Sequence, residues 1–250
     1  MIGGWTSVAF PYYIHLLEFN IHPHLLFETL AYFIAARIYF KTSKKTTYTT
    51  FEKMTLLTYL IAGAFLGSKI VSLLESPLFL LQGDFLHALE GKTVVGGFLG
   101  GWIGIEIAKK QVGMKESTGD AFVIPMAVGL MIGRIGCFLT GLSDDTVGTQ
   151  TTLPWGVDFG DGVLRHPAQL YEIAFLLFWT TFLVVMKKKE DPNGLLFRKW
   201  MGGYLLFRFF VDFIKPVEHF YFGLNSIQLA CLIALGIIIL QFRRLIGVRE

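Results

Sequence analysis

The sequence predicts an all-α integral membrane protein of about seven transmembrane helices, with its N-terminus outside and its C-terminus in the cytoplasm. Hydrophobic residues make up 53% of the 250-residue chain and charged residues only 16%, a balance with which a soluble domain of this size would aggregate. Apolar runs long enough for helical spans recur along the chain, and Lys and Arg collect in alternate loops between them. One domain over residues 1–250 is the natural organisation.

Residues 1–22 are aromatic, are interrupted by Pro11 and lack the basic, apolar and small-residue order of a removable signal peptide, so they read as an interfacial arm. Apolar runs near 24–40, 54–74, 94–108, 121–141, 168–186, 199–214 and 224–242 are the expected spans. The third and sixth are short and rich in glycine, which suits helices packed inside a bundle or lining a cavity. In the third, VVGGFLGGWIG has the spacing of small residues through which helices approach closely. Loops 41–53, 109–120 and 187–199 and the C-terminal tail carry the basic runs, including Lys44, Lys45, Lys109, Lys110 and Lys187 to Lys189. The intervening loops hold only Lys92, Arg165 and Lys215, and this bias sets the orientation.

Charges inside the spans point to function, because a charge at mid-bilayer costs about 2.5 to 3.5 kcal/mol on insertion scales and is kept where a partner or a polar cavity holds it. Arg134 lies in AFVIPMAVGLMIGRIGCFLTG with no acid at helical spacing, so it is expected to meet an anionic ligand or a carboxylate on another helix. Tyr204, Arg208 and Asp212 are each four residues apart and share one helix face. That triad reads either as an anion site or as a self-neutralised packing device. Glu28 reads either as the counter-ion of Arg134 or as an end-of-helix residue near the outer interface. An anion bound within the membrane is the common expectation.

The segment 142–167 is too rich in Gly, Pro and Asp to span and is expected to be an outer loop running into the fifth helix. It ends in RHPAQLYE, where Pro167 suits a first helical turn and Gln169 and Glu172 fall on one face. Arg165, His166, Gln169 and Glu172 would recognise a polar headgroup or lock the loop to the helix. Cys137 and Cys231 fall in spans, which argues against a disulfide framework, and a buried cysteine is ordinarily an apolar filler. The six histidines are scattered across different segments, His24 and His87 among them, and none has metal-ligand spacing. No nucleotide-binding glycine loop occurs. No metal, no cofactor and no nucleic-acid partner is expected.

GRIGCFLTG, then PWGVDF, then RHPAQLYE, then YLLFRFFVD together resemble the prolipoprotein diacylglyceryl transferases of bacterial inner membranes, in order and spacing from about Pro23 to Leu240. The resemblance implies a central cavity that phosphatidylglycerol, or a related anionic phospholipid, enters from the side. Its diacylglyceryl group would pass to the lipobox cysteine of a prolipoprotein or to another secreted acceptor, and glycerol phosphate would leave. Arg134 and Arg208 match the family's two arginines and would clamp phosphate. Tyr204 matches its tyrosine, Asp212 stands where Glu is usual, and Gly96 and Gly97 match glycines that line the cavity floor.

The departures from the family fall where the chemistry is expected. Val95 replaces a histidine often proposed as a base, Cys137 an asparagine, Leu142 a glutamate and Glu28 a tyrosine. A thiol acceptor needs activation, since an unperturbed thiol has a pKa of about 8.5. Glu28 is the expected base, with Asp144 or Asp145 standing in for the glutamate. Three classes follow: a phospholipid-dependent diacylglyceryl transferase, a lipid-binding relative without turnover, and a small transporter. The lack of an obvious internal repeat argues against the third.

Overall fold

The structure, a computed structural model, describes residues 10–16, 19–43, 48–75 and 91–247. The first nine residues of the expected arm, Lys44, Lys45 and His87 lie outside the described residues. Seven α-helices form among those described: α1 (Pro23–Thr42), α2 (Thr50–Glu75), α3 (Val94–Gln111), α4 (Val123–Thr140), α5 (Ala168–Met186), α6 (Leu195–Val211) and α7 (Ser226–Gly247). Each lies on one of the apolar runs. Two short antiparallel hairpins, β1 (Ile14–Leu16) with β2 (Phe19–Ile21) and β3 (Val157–Asp158) with β4 (Leu164–Arg165), lie before α1 and in the loop before α5. The segments α2, Gly119–Asp144 and α5 are long and apolar enough to cross a membrane, and α7 carries a shorter apolar stretch at Ser226–Phe242. The described residues are thus almost entirely helical outside these two short hairpins and the loops, with membrane-capable helices among them.

Helix ends differ from the apolar runs for local reasons. α2 starts four residues earlier than its apolar run because Thr49 and Glu52 form a reciprocal cap, Glu52 Oε2 accepting from the Thr49 N–H at 2.7 Å and Thr49 Oγ1 from the Glu52 N–H at 3.2 Å. α7 begins the same way, with Asn225 Oδ1 accepting from the Gln228 N–H at 2.7 Å and Gln228 Oε1 from the Asn225 N–H at 2.9 Å. α1 opens with Pro23, whose missing N–H costs nothing in a first turn. α4 ends at Gly141, whose φ of 70° is accessible to glycine and turns the chain into the 3-10 turn Gly141–Asp144.

The backbone packs as two compact units that interleave in sequence. The first comprises residues 1–43, 118–200 and 213–216. In it α1 lies against α4 through small residues: a Cβ on Gly129 would meet Ala35 at 3.3 Å, and one on Gly136 would meet Phe27 at 2.7 Å. α4 also packs on α5.

The second unit comprises residues 44–117, 201–212 and 217–250. There α2 and α3 meet along Gly63, Gly67, Gly96, Gly100 and Gly104, where an added Cβ would overlap backbone of the facing helix. The spacing read from VVGGFLGGWIG is therefore a close helix contact. Outward-facing Phe65, Ile70, Phe178, Val185, Ile233 and Ile239 leave broad apolar surface on α2, α5 and α7.

Candidate functional site

Two buried polar clusters form, one in each unit. In the first, Arg134 on α4 is 8% exposed, and its Nε lies 2.9 Å from Oε2 of Glu172 on α5, itself 1% exposed. Glu172 is thus the carboxylate on another helix that Arg134 was expected to find. Pro167 starts α5 so that Gln169 and Glu172 share a face, and Gln169 Nε2 donates to Thr146 Oγ1 at 3.0 Å. Arg165 and His166 knit the loop instead. Arg165 Nη1 donates to Asp161 at 2.6 Å, which holds the Asp161 carboxyl below the ordinary carboxylate range and raises the Arg165 guanidinium. His166 Nδ1 lies 3.1 Å from the Tyr171 hydroxyl, which also accepts from Trp155 Nε1 at 2.8 Å.

Beside Arg134 the cluster continues onto α1. Arg134 Nη1 is 3.8 Å from Cys137 Sγ, and that sulfur is 4.0 Å from His24 Nδ1. His24 sits between two carboxylates, its Nδ1 2.8 Å from Asp144 Oδ1 and its Nε2 3.5 Å from Glu28 Oε2. Thr146 Oγ1 donates to the other oxygen of Asp144 at 2.6 Å. The 3-10 turn after Gly141 carries Asp144 back over the first turn of α1, whereas Asp145 takes a left-handed φ of 52° at the end of that turn.

Glu28, weighed above as the counter-ion of Arg134, is instead engaged with His24 and with the Tyr32 hydroxyl at 3.3 Å. Its side chain is 36% exposed and faces the His24 imidazole. His24 was legible through its i,i+4 spacing to Glu28. It was passed over because its other partners lie 113 or more residues away.

The second cluster surrounds Arg208 on α6. Its Nη2 donates to Asp212 Oδ1 at 2.7 Å, and both side chains are almost fully buried. Asn225 Nδ2 reaches the other oxygen of Asp212 at 3.4 Å, and Gln228 Nε2 donates to the Phe209 carbonyl at 3.1 Å. Tyr204 is fully buried, with its ring centroid 5.4 Å from that of Phe98 on α3. Asn225 and Gln228 were missed by a reading fixed on charges, although Asn followed three residues later by Gln ahead of an apolar run is a cap signature. Gly96 is buried against α2, while Gly97 has room, the nearest atom to a Cβ there being 3.7 Å away.

Chemically, the first cluster offers a fixed guanidinium, a thiol and an imidazole held by two carboxylates, and the second an arginine oriented by an acid and an amide. The family model described as prolipoprotein diacylglyceryl transferase matches residues 11–245. Among individual proteins, the phosphatidylglycerol–prolipoprotein diacylglyceryl transferase of Cupriavidus metallidurans is 33% identical over 193 residues, 70% of this chain and 67% of that protein. The protein of the same name from Nitratidesulfovibrio vulgaris strain DP4 is 33% identical over 213 residues, 74% of this chain and 75% of its own. One from Geobacter sulfurreducens is 34% identical over 171 residues, 64% and 63% of the two chains.

Proposed function

The chain belongs to the prolipoprotein diacylglyceryl transferase family and is a diacylglyceryl transferase, and we propose on that premise that phosphatidylglycerol is its donor and a prolipoprotein lipobox cysteine its acceptor. The site lies in a bacterial inner membrane, with the N-terminus outside. The observation that carries this reading is Arg134, buried in an apolar helix and fixed by Glu172 of the RHPAQLYE element. A fixed cation in low dielectric holds a phosphodiester and stabilises the negative charge that builds on the leaving phosphate. In the second unit Arg208, oriented by Asp212, is another buried cation, with Tyr204 on the same helix face.

The acceptor sulfur attacks the glyceryl carbon that bears the phosphate. A sulfur–carbon bond forms, the carbon–oxygen bond breaks, and its electron pair leaves on the phosphate oxygen as glycerol phosphate. The acceptor thiol must first give up its proton, and the chain Glu28–His24–Asp144 is where this protein, with Val95 at the family's histidine position, assembles groups able to bring that about. Gln169, Arg165 and His166 set the loop over the same end of the first unit.

The test is turnover by purified protein in detergent with phosphatidylglycerol and a lipobox peptide, following glycerol phosphate release and peptide mass. The expected result is a diacylglyceryl mass gain on the peptide that disappears in Arg134→Ala. Folded protein that binds the lipid through Arg134 yet releases no glycerol phosphate would replace this reading with that of a lipid-binding relative lacking turnover.

A further inference from the structure

We propose that His24, Cys137 and Asp144 form a three-ligand zinc site between the first turn of α1 and the end of α4. Their ligand atoms all lie within 4.8 Å of one another. One imidazole nitrogen, one thiolate sulfur and one carboxylate oxygen make a donor set suited to Zn2+, and the thiolate and carboxylate together neutralise the dication. Three protein ligands leave the fourth tetrahedral position open, as in catalytic rather than structural zinc sites.

The groups behind the ligands make the stronger argument. A ligating imidazole almost always has its second nitrogen held by a carboxylate or carbonyl, which fixes the tautomer. Glu28 Oε2 stands 3.5 Å from His24 Nε2 in that position, which leaves Nδ1 to face Cys137 and Asp144. Asp144 is oriented likewise, for Thr146 occupies its Oδ2 at 2.6 Å and leaves Oδ1 toward His24. Arg134 Nη1 lies 3.8 Å from Cys137 Sγ, and Glu172 holds that guanidinium from the other side. His24 Nδ1 and Asp144 Oδ1 lie 2.8 Å apart, and zinc would stand between them. Zinc bonds of about 2.0 Å to nitrogen and oxygen separate those atoms by about 3.3 Å, so His24 and Asp144 open by roughly half an ångström and Cys137 closes by a similar amount.

The role of the site rests on the diacylglyceryl transferase reading. The acceptor thiol occupies the open position and ionises on coordination, its proton passing to bulk water. The sulfur lone pair then forms the bond to the glyceryl carbon as the carbon–oxygen bond breaks toward phosphate. Zinc remains Zn2+ throughout and no electron is exchanged. Coordination thus answers the loss of the histidine at Val95.

Protein purified in detergent is stripped with a chelator and titrated with Zn2+, and bound metal is counted by elemental mass spectrometry. Co2+ is then used as a spectroscopic probe. The expected result is one zinc per chain and a thiolate-to-cobalt charge-transfer band, both lost in Cys137→Ser and retained in Cys231→Ser. Glu28→Gln, which leaves the ligands in place, weakens zinc affinity by roughly 10- to 100-fold. Wild-type protein that binds no more zinc than equally folded Cys137→Ser overturns the site. Transfer that stops on chelation and returns with zinc supports the thiol role, and transfer indifferent to chelation overturns that role while the metal count stands. Absence of transfer in every form sinks the transferase reading and the thiol role with it, and zinc stoichiometry still decides the site.

Discussion

Arg134 and Glu172 are the residues at which stability and function separate most cleanly. Their side chains are 9% and 2% exposed and 2.9 Å apart, so neither charge has water to fall back on. Breaking such a pair from one side costs about 3 to 5 kcal/mol, whereas replacing both members with apolar groups of similar volume is often neutral. Glu172→Gln is therefore expected to lower the thermal midpoint in detergent strongly and to abolish turnover. The double change Arg134→Met with Glu172→Leu restores most of the midpoint and leaves turnover absent. A double variant that still releases glycerol phosphate at the wild-type rate would show that Arg134 holds no phosphate. The pair was half legible in the sequence: the lack of an acid near Arg134 pointed to a partner on another helix, but nothing in the spacing could choose Glu172 over Glu28. That choice depends on α4 packing on α5 with Gln169 and Glu172 turned inward, which is a property of three-dimensional packing.

Among the elements, the α2–α3 contact shows how a glycine motif divides into packing and open positions. Gly96 and Gly97 are adjacent in sequence and were read together as cavity glycines. A Cβ on Gly96 overlaps the Gly67 carbonyl and lies 2.9 Å from Val71 Cβ, while one on Gly97 has nothing nearer than 3.7 Å. Gly96→Ala is expected to force the helices apart and lower the thermal midpoint by several degrees, and Gly97→Ala to leave it unchanged. Thermal unfolding of the two variants side by side checks this, and equal midpoints would refute the division. Loss of turnover in Gly97→Ala at an unchanged midpoint would place that residue on the lipid path. The helices themselves were legible because apolar runs of this length have few other solutions in lipid. Their ends were less so, since α2 and α7 begin at polar reciprocal caps that hydropathy ignores and that a search for Thr-x-x-Glu or Asn-x-x-Gln finds. His24 escaped for a related reason, because its site exists only when the Gly141–Asp144 turn folds back on α1.

For the whole molecule, packing within each unit bears on the alternation of the helices, and the orientation is a proposal that rests on charge alone. If the chain starts outside and crosses seven times, odd helices begin outside and even helices end there. In the first unit the start of α1, the end of α4 and the start of α5 are drawn together through His24, Asp144, Thr146 and Gln169. The opposite end of that unit joins the start of α4 to the end of α5 and the start of α6, with Asp120 accepting from the Phe197 N–H at 2.9 Å and lying 3.4 Å from Lys187 Nζ. In the second unit the Tyr221 hydroxyl, just before α7, donates to the Leu74 carbonyl near the end of α2 at 2.8 Å. The Thr93 N–H, at the start of α3, donates to Ser68 Oγ of α2 at 2.9 Å. These meetings are compatible with alternating spans, and the ends that meet beside Lys187 border the basic loops 109–120 and 187–199, from which a cytoplasmic side is proposed. Fusions in cells provide the check: a fluorescent protein after residue 247 is expected to mature, alkaline phosphatase at the same point to stay inactive, and phosphatase inserted near Gly160, at the tip of the outer loop, to be active. An active phosphatase at the C-terminus would invert the assignment and put His24, Cys137 and Asp144 on the face that secreted acceptors do not reach. The orientation and the proposed chemistry therefore stand or fall together.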